Sequence, residues 1–145
     1  TLFANLAMAY DALDEDLKSR IDQLQVRNLY GYDDTFREET TEETEPDTSA
    51  ATHGLVKLHP VTNRKSLYLS RLMTRHVIGM KRDESDDLLN ILFDHAENPD
   101  FVYSHKWKAR DLLIWDNRCL NHARTDFPEG EERLLRRLTI TDWHT

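Results

Sequence analysis

The residues best suited to chemistry lie in one stretch near the end of the sequence. It holds His122, and then Arg133 and Arg137 beyond a turn marked by proline and glycine. A neutral imidazole is a good protein ligand for iron, and a guanidinium can hold a carboxylate through two parallel hydrogen bonds. A histidine and two arginines around a tight turn would place a metal ion and an organic acid in one pocket.

The two arginines are expected to act together. The sequence from 134 to 142 predicts a β-strand, and residues four apart on a strand point to the same face. Arg133 and Arg137 would then enter one pocket, and Arg136 would point to the opposite side. The alternatives are a structural histidine at His122 and solvated arginines on a strand surface.

This stretch belongs to a wider resemblance. The sequence reads T-L-F-A-N from Thr1, H-P-V-T-N-R-K-S-L-Y-L-S from His59, F-V-Y-S-H-K-W-K-A-R-D-L-L-I from Phe101, and W-D-N-R-C-L-N-H from Trp115 to His122. It resembles the C-terminal half of the taurine dioxygenase and 2,4-dichlorophenoxyacetate dioxygenase family, which are Fe(II)- and 2-oxoglutarate-dependent oxygenases. The resemblance implies a mainly β fold with flanking helices, a double-stranded β-helix (jelly roll, cupin-like).

The same resemblance implies that residues 1–145 are the C-terminal part of a single oxygenase domain, incomplete at the N-terminus. The family's H-x-D motif, which supplies the other two iron ligands, precedes the T-L-F segment and is not in this sequence. The sequence also has no initiator Met. We therefore expect this chain alone to hold iron poorly and to be inactive.

The resemblance assigns a role to each candidate residue. His122 would be the catalytic metal ligand, and Thr1 and Arg133 would bind the distal carboxylate of 2-oxoglutarate. Arg137 would lie nearer the metal, close to the other carboxylate or to an acidic group of the substrate. Trp115 would either pack in the core or donate its indole N–H to the family's Asp ligand.

The substrate is expected to be a small organic anion of the sulfonate or aryloxyalkanoate type. Molecular oxygen would be consumed, and succinate and CO2 released. An aromatic residue at the position of Tyr30 approaches the substrate in the family, and a histidine commonly stands where this chain has Asn28.

Two other functions remain open. One is a catalytically degenerate anion-binding protein on the same scaffold, and the other is a cupin-like metalloenzyme without 2-oxoglutarate, which the arginine pair disfavours.

The composition limits the kinds of partner that we expect for this protein. A net charge of -8 argues against nucleic-acid binding, and no apolar run is long enough to cross a membrane. The single Cys119 cannot form an internal disulfide and favours a reducing cytoplasm. We expect Cys119 to be a buried small residue in a strand rather than a ligand. A homo-oligomer is compatible with this composition.

The predicted elements follow from periodicity. Residues 3–30 predict helices with Asp14 as an N-cap, and two alternating runs at 54–59 and 66–70 predict a hairpin. An amphipathic helix is expected over 83–96, capped by Ser85 or Asp86. Four further strands are expected, at 101–107, 111–115, 118–122 and 134–142.

An acidic segment separates the predicted N-terminal helices from the hairpin. It has eight acidic residues and one arginine between Asp33 and Asp47. A segment so charged and so poor in apolar groups cannot offset the entropy cost of ordering. We expect residues 33–52 to form a mobile loop, with a lid over the substrate as one option.

Overall fold

The computed structural model of the protein describes residues 1–29, 50–125, 130 and 134–140, and these are mainly β. Three α-helices and a 3-10 turn (Pro99–Phe101) flank the strands within these ranges. The helices are α1 (Leu6–Asp11), α2 (Glu15–Ile21) and α3 (Arg82–Ala96). The strands are β1 (Leu2–Asn5), β2 (Gln25–Leu29), β3 (Ala50–Gly54), β4 (Val56–Leu58), β5 (Lys65–Leu67), β6 (Thr74–Val77), β7 (Val102–Ser104) and β8 (Leu120–Ala123). None of the helices in these ranges has both the length and the apolar content needed to cross a membrane.

The strands form three antiparallel groups. β1 lies between β7 and β8, β2 lies between β3 and β6, and β4 pairs with β5 as a hairpin. In the first sheet, Phe3 stands opposite both Tyr103 on β7 and His122 on β8. Residues directly opposite each other project from the same face, so these three side chains share one side of the sheet.

The core is built around one face of α3. Leu88, Leu89, Leu92 and Phe93 repeat at helical spacing, and each is at most 2% exposed. They belong to a cluster of buried side chains that also draws on α1, α2 and the strands β2, β5 and β6. Burial of each such side chain stabilises the fold by about 1.5–3 kcal/mol. The predicted helix over 83–96 is confirmed.

The predicted caps of this helix are wrong. The N-cap position is Lys81, whose side chain makes no capping hydrogen bond. Ser85 is fully buried, and its hydroxyl accepts a 2.8 Å hydrogen bond from the backbone N–H of Val77 on β6. The serine therefore joins the helix to a strand instead of closing the end of the helix.

The predicted N-terminal helical region is correct only in its middle. Asp14 is the N-cap of α2, and its carboxylate accepts from the backbone N–H of Leu17 at 2.7 Å. Residues 3–5 belong to β1 and residues 25–29 to β2, so the helix prediction is wrong at both ends. Hydrogen bonds to two neighbouring strands outweigh the helical periodicity of each segment.

Some of the strand predictions are confirmed and others are wrong. The hairpin is confirmed as β4 and β5, and parts of 101–107 and 118–122 form β7 and β8. Residues 111–115 and 134–140 are not strands, and β6 was not expected. β3 begins at Ala50, which corrects the end of the predicted loop, because 50–52 are strand. The rest of that loop, 33–49, and residues 141–142 lie outside the described residues.

Candidate active site

His122 is an exposed residue of β8 whose ring lies beside two aromatic side chains. Its ring stacks against Phe3, with centroids 6.2 Å apart, and lies 5.2 Å from the ring of Trp115. Phe3 and Trp115 are themselves 5.3 Å apart, so the three rings touch one another. The imidazole therefore has an apolar wall on one side.

This setting favours the neutral form of His122. Burial lowers the pKa of His122 below its usual value, and the positive charge of Arg137 lowers this pKa further. A neutral imidazole has a lone pair available for a metal ion, whereas a protonated ring has none. Because Arg137 lowers this pKa, its exposed guanidinium acts electrostatically on His122.

Thr1 extends the pairing of β1 by one residue. Its backbone exchanges two hydrogen bonds with His105, one of 3.1 Å and one of 2.8 Å. Alternation along the strand then places Thr1 on the same face as Phe3 and His122. The Thr1 hydroxyl accepts a 2.8 Å hydrogen bond from the indole N–H of Trp107.

A cavity of about 380 Å³ opens over this face of the sheet. Its wall includes Phe3, Asn5, Trp115 and Leu120, with Tyr103 at one side. Leu120 and His122 are two residues apart on β8 and share a face, so the cavity is next to the imidazole. The volume and the mainly apolar wall are typical of a small-molecule site.

Trp115 contributes its ring to this arrangement. Its indole N–H donates to the side-chain oxygen of Asn117 at 2.8 Å. The ring packs on Phe3 and His122, so the residue supports the imidazole through van der Waals contact. The predicted hydrogen bond from Trp115 to the family's Asp ligand stays a prediction.

His122 belongs to no group of three or more candidate metal ligands among the described residues. Within these ranges, one group of three side chains is close enough to share a metal ion, namely His59, Asp116 and Cys119. That group does not include His122. The donor set at His122 therefore fits one position of a metal site, that of a single neutral imidazole. Cys119, expected to be buried in a strand, is only half-buried and lies in the turn before β8.

The other predicted residues lie elsewhere. Asn28 is on β2, in a different sheet from His122, and stands opposite Ala51 and Thr74 beside a bulge. Its side-chain oxygen is buried, with no hydrogen-bond partner within the described part of the chain. Tyr30 and Arg133 lie outside the described residues.

Two aromatic residues of this site were missed from the sequence. Phe3 lies against His122, and Trp107 holds the Thr1 hydroxyl. The alternation of T-L-F could have revealed Phe3, because residues 1 and 3 of a strand share a face. Nothing in the sequence alone links Trp107 to Thr1, since the contact joins residues far apart along the chain.

The chain belongs to the family described as taurine catabolism dioxygenase TauD, TfdA family, which matches residues 1–139. The resemblance read from the sequence is thereby confirmed. The (S)-phenoxypropionate/alpha-ketoglutarate-dioxygenase of Sphingobium herbicidovorans is 37% identical over 154 residues, covering 100% of this chain and 50% of the relative. The chain thus spans about half the length of this curated relative.

Two crystal structures extend the likeness to three dimensions. AAD-2 in complex with Mn(II) and N-oxalylglycine matches with a TM-score of 0.72 and 40% identity, over 82% of this chain and 48% of that one. A taurine dioxygenase from Burkholderia xenovorans matches with a TM-score of 0.70 and 30% identity, over 82% and 38%. The prediction of a mainly β jelly-roll fold with flanking helices is confirmed.

Proposed function

We propose that the protein is an Fe(II)- and 2-oxoglutarate-dependent dioxygenase that hydroxylates a small organic anion and releases succinate and CO2. The position of His122 carries the proposal. It is an imidazole with a lowered pKa on the same sheet face as Thr1 and next to a cavity. Membership of the family, and relatives named as alpha-ketoglutarate dioxygenases, support it.

Each candidate residue would bind a different group of the metal and cosubstrate. His122 would hold Fe(II) through its imidazole lone pair, with the rings of Phe3 and Trp115 keeping water from one side. The Thr1 hydroxyl would donate to the distal carboxylate of 2-oxoglutarate, and Arg133 would pair with the same group. The chemistry that bound Fe(II) supplies is the activation of O2 coupled to oxidation of 2-oxoglutarate.

An anionic substrate suits the charge around the metal position. Arg137 acts electrostatically on His122, and an anion nearby would compensate its guanidinium. The named relatives act on a phenoxypropionate and on taurine, which carry a carboxylate and a sulfonate. We therefore favour a sulfonate or an aryloxyalkanoate, with Tyr30 and Asn28 as substrate contacts.

Succinate formation by the full-length protein tests the proposal. With Fe(II), ascorbate and 2-oxoglutarate, sulfonates and aryloxyalkanoates should give coupled turnover, and His122→Ala should abolish it. His53→Ala is the control, since it makes the same substitution at a histidine on β3, outside the sheet that carries His122. It should retain activity.

Two results would contradict the proposal. Turnover surviving in His122→Ala would remove this residue from the metal site. Turnover with neutral compounds, but with none of the anions, would refute the substrate class. A full-length protein that binds 2-oxoglutarate and gives no succinate with any compound would favour the degenerate anion-binding protein instead.

A further inference from the structure

His59 is at the start of the turn of the β4–β5 hairpin, and its side chain forms hydrogen bonds with the backbone of that turn. Its Nδ1 accepts hydrogen bonds from the backbone N–H groups of Val61 and Thr62, each at 3.2 Å. A ring nitrogen that accepts two donors carries no proton, so the proton of the neutral ring is on Nε2. Nε2 donates to the Asp116 carboxylate at 2.9 Å. The network therefore fixes the tautomer of His59.

This tautomer argues against a metal ion between His59, Asp116 and Cys119, although their ligand atoms lie within 4.8 Å of one another. A metal would need the lone pair of Nε2, and moving the proton to Nδ1 would set it against two backbone N–H groups. Burial also raises the pKa of the Cys119 thiol, which favours the protonated form that does not bind metals. The group is therefore held together by hydrogen bonds, and we call the His59–Asp116 hydrogen bond the clasp.

Asp116, at the other end of the clasp, organises the turn that leads into β8. Its carboxylate accepts from the backbone N–H of Arg118 at 2.8 Å, and its backbone carbonyl accepts from those of Cys119 at 3.3 Å and Leu120 at 3.1 Å. The hydrogen bond from His59 is the main reason that the pKa of Asp116 is lowered. The carboxylate stays ionised and strengthens both bonds.

Two further bonds tie the same hairpin to β8 and the turn before it. The Ser66 hydroxyl on β5 donates to the carbonyl of Arg118 at 3.4 Å, and the Asn121 amide donates to the carbonyl of Leu69 at 2.8 Å. On its other side β8 pairs with β1, and within the described ranges it has no other strand neighbour. The hairpin thus supplies the second support of the strand that carries His122.

We propose that His59 is a positioning residue for His122, acting through Asp116 and the turn into β8. The inference rests on the proposed role of His122 as a metal ligand. His59 contacts neither the imidazole of His122 nor its aromatic wall. Its effect comes from fixing the turn at Asp116, six residues before His122, and with it the start of β8. Groups that orient a metal ligand typically change metal affinity by about 10–100-fold when removed.

Two substitutions separate the two functions of His59. Asn in place of His59 can accept from the backbone N–H groups of the turn, as asparagine does in Asx turns, but it is too short to reach Asp116. Gln can place an amide N–H near the position of Nε2 and donate to Asp116, but it leaves the turn without its acceptor. His59→Asn keeps the turn and loses the clasp, whereas His59→Gln does the reverse.

Amide exchange in the metal-free, full-length protein is the first measurement. His59→Asn should speed exchange across 118–123 by about 10-fold, which corresponds to losing one hydrogen bond to a carboxylate. His59→Gln should leave this segment within about 3-fold of wild type and instead loosen 60–64. Thr62→Ala, in the same turn but without contact to Asp116, is the control and should leave 118–123 unchanged.

Binding of Mn(II) is the second measurement. His59→Asn should weaken Mn(II) binding by about 10-fold, while His59→Gln should rescue it to near the wild-type value. Equal exchange at 118–123 in both variants, or loss of Mn(II) binding that follows only the loss of the turn, would overturn the inference. If wild-type protein bound no Mn(II), the proposed function would fail, and the exchange measurement would still decide whether the clasp holds β8.

Discussion

Ser85→Ala should destabilise the protein although it removes only one oxygen atom. The Ser85 hydroxyl is buried and accepts from the backbone N–H of Val77 at 2.8 Å. Val77 is also fully buried, so water cannot replace the lost acceptor. An unsatisfied buried donor costs about 1–3 kcal/mol. Alanine recovers up to about 0.5 kcal/mol through its better helix propensity. The expected net loss in unfolding free energy is about 0.5–3 kcal/mol.

Ser19→Ala is the matched control for this prediction. Ser19 lies on the exposed side of α2, so the same chemical change there brings the gain in helix propensity without the loss of a buried hydrogen bond. This variant should be as stable as wild type, or more stable by a few tenths of a kcal/mol. The two variants therefore should shift stability in opposite directions.

Urea unfolding followed by circular dichroism measures both variants. With a slope of about 1–3 kcal/mol per molar urea, a loss of about 1.5 kcal/mol lowers the midpoint by about 0.5–1.5 M. A Ser85→Ala midpoint equal to or above that of wild type would show that the Val77 N–H finds another acceptor. It would refute the idea that this serine joins α3 to the sheet.

Two further predictions address charge. Arg133→Ala should weaken 2-oxoglutarate binding to the full-length protein by roughly 30-fold or more, because breaking a buried charge pair costs about 2–5 kcal/mol. Calorimetry would measure this, with Arg136→Ala as the control, and unchanged binding would remove Arg133 from the cosubstrate site. The lowered pKa of Asp116 stabilises the fold above its ordinary pKa of 3.8, and this stability is lost as pH falls through the lowered value. Asp116→Asn should therefore weaken the pH dependence of unfolding below about pH 4, and an unchanged acid limb would count against the His59–Asp116 bond.

Local patterns predicted the parts of the fold that depend on local interactions. The spacing of Leu88, Leu89 and Leu92 was enough to place α3, because a helix forms its hydrogen bonds within one segment. Asp14 was recognisable as a cap for the same reason, since its carboxylate bonds to an N–H three residues away. The turn residues of H-P-V-T-N-R likewise marked the hairpin between β4 and β5.

Strands were harder because a strand exists only beside another strand. Leu112 and Ile114 alternate as strand residues would, yet they are 84% and 78% exposed and pair with no strand within the described residues. The apolar residues of 134–140 behave in the same way. Alternation shows which side chains would share a face, but it does not show whether a partner strand is present.

The same difference between local and long-range contacts applies to the candidate site. His122 and Thr1 were predicted from sequence by resemblance, and the structure places them on one sheet face. The contacts of Phe3, Trp107 and His59 were not predicted, because each is a long-range contact that no local pattern encodes. Arg133 and Tyr30 stay predictions.

The pairing of β1 with both β7 and β8 has a consequence for synthesis of the protein. Phe3 and His122 are neighbours in the sheet, yet roughly 120 residues separate them, so at ~5–20 residues per second the ribosome needs on the order of 10 s to make the intervening chain. During that time Phe3, which is 6% exposed in the fold, has no complete sheet to cover it. β7 emerges first and can pair with β1, which leaves the other edge of β1 as a template for β8. The strand bearing His122 is thus the last of the described strands to be made, so the proposed metal position cannot form until this strand has been synthesised.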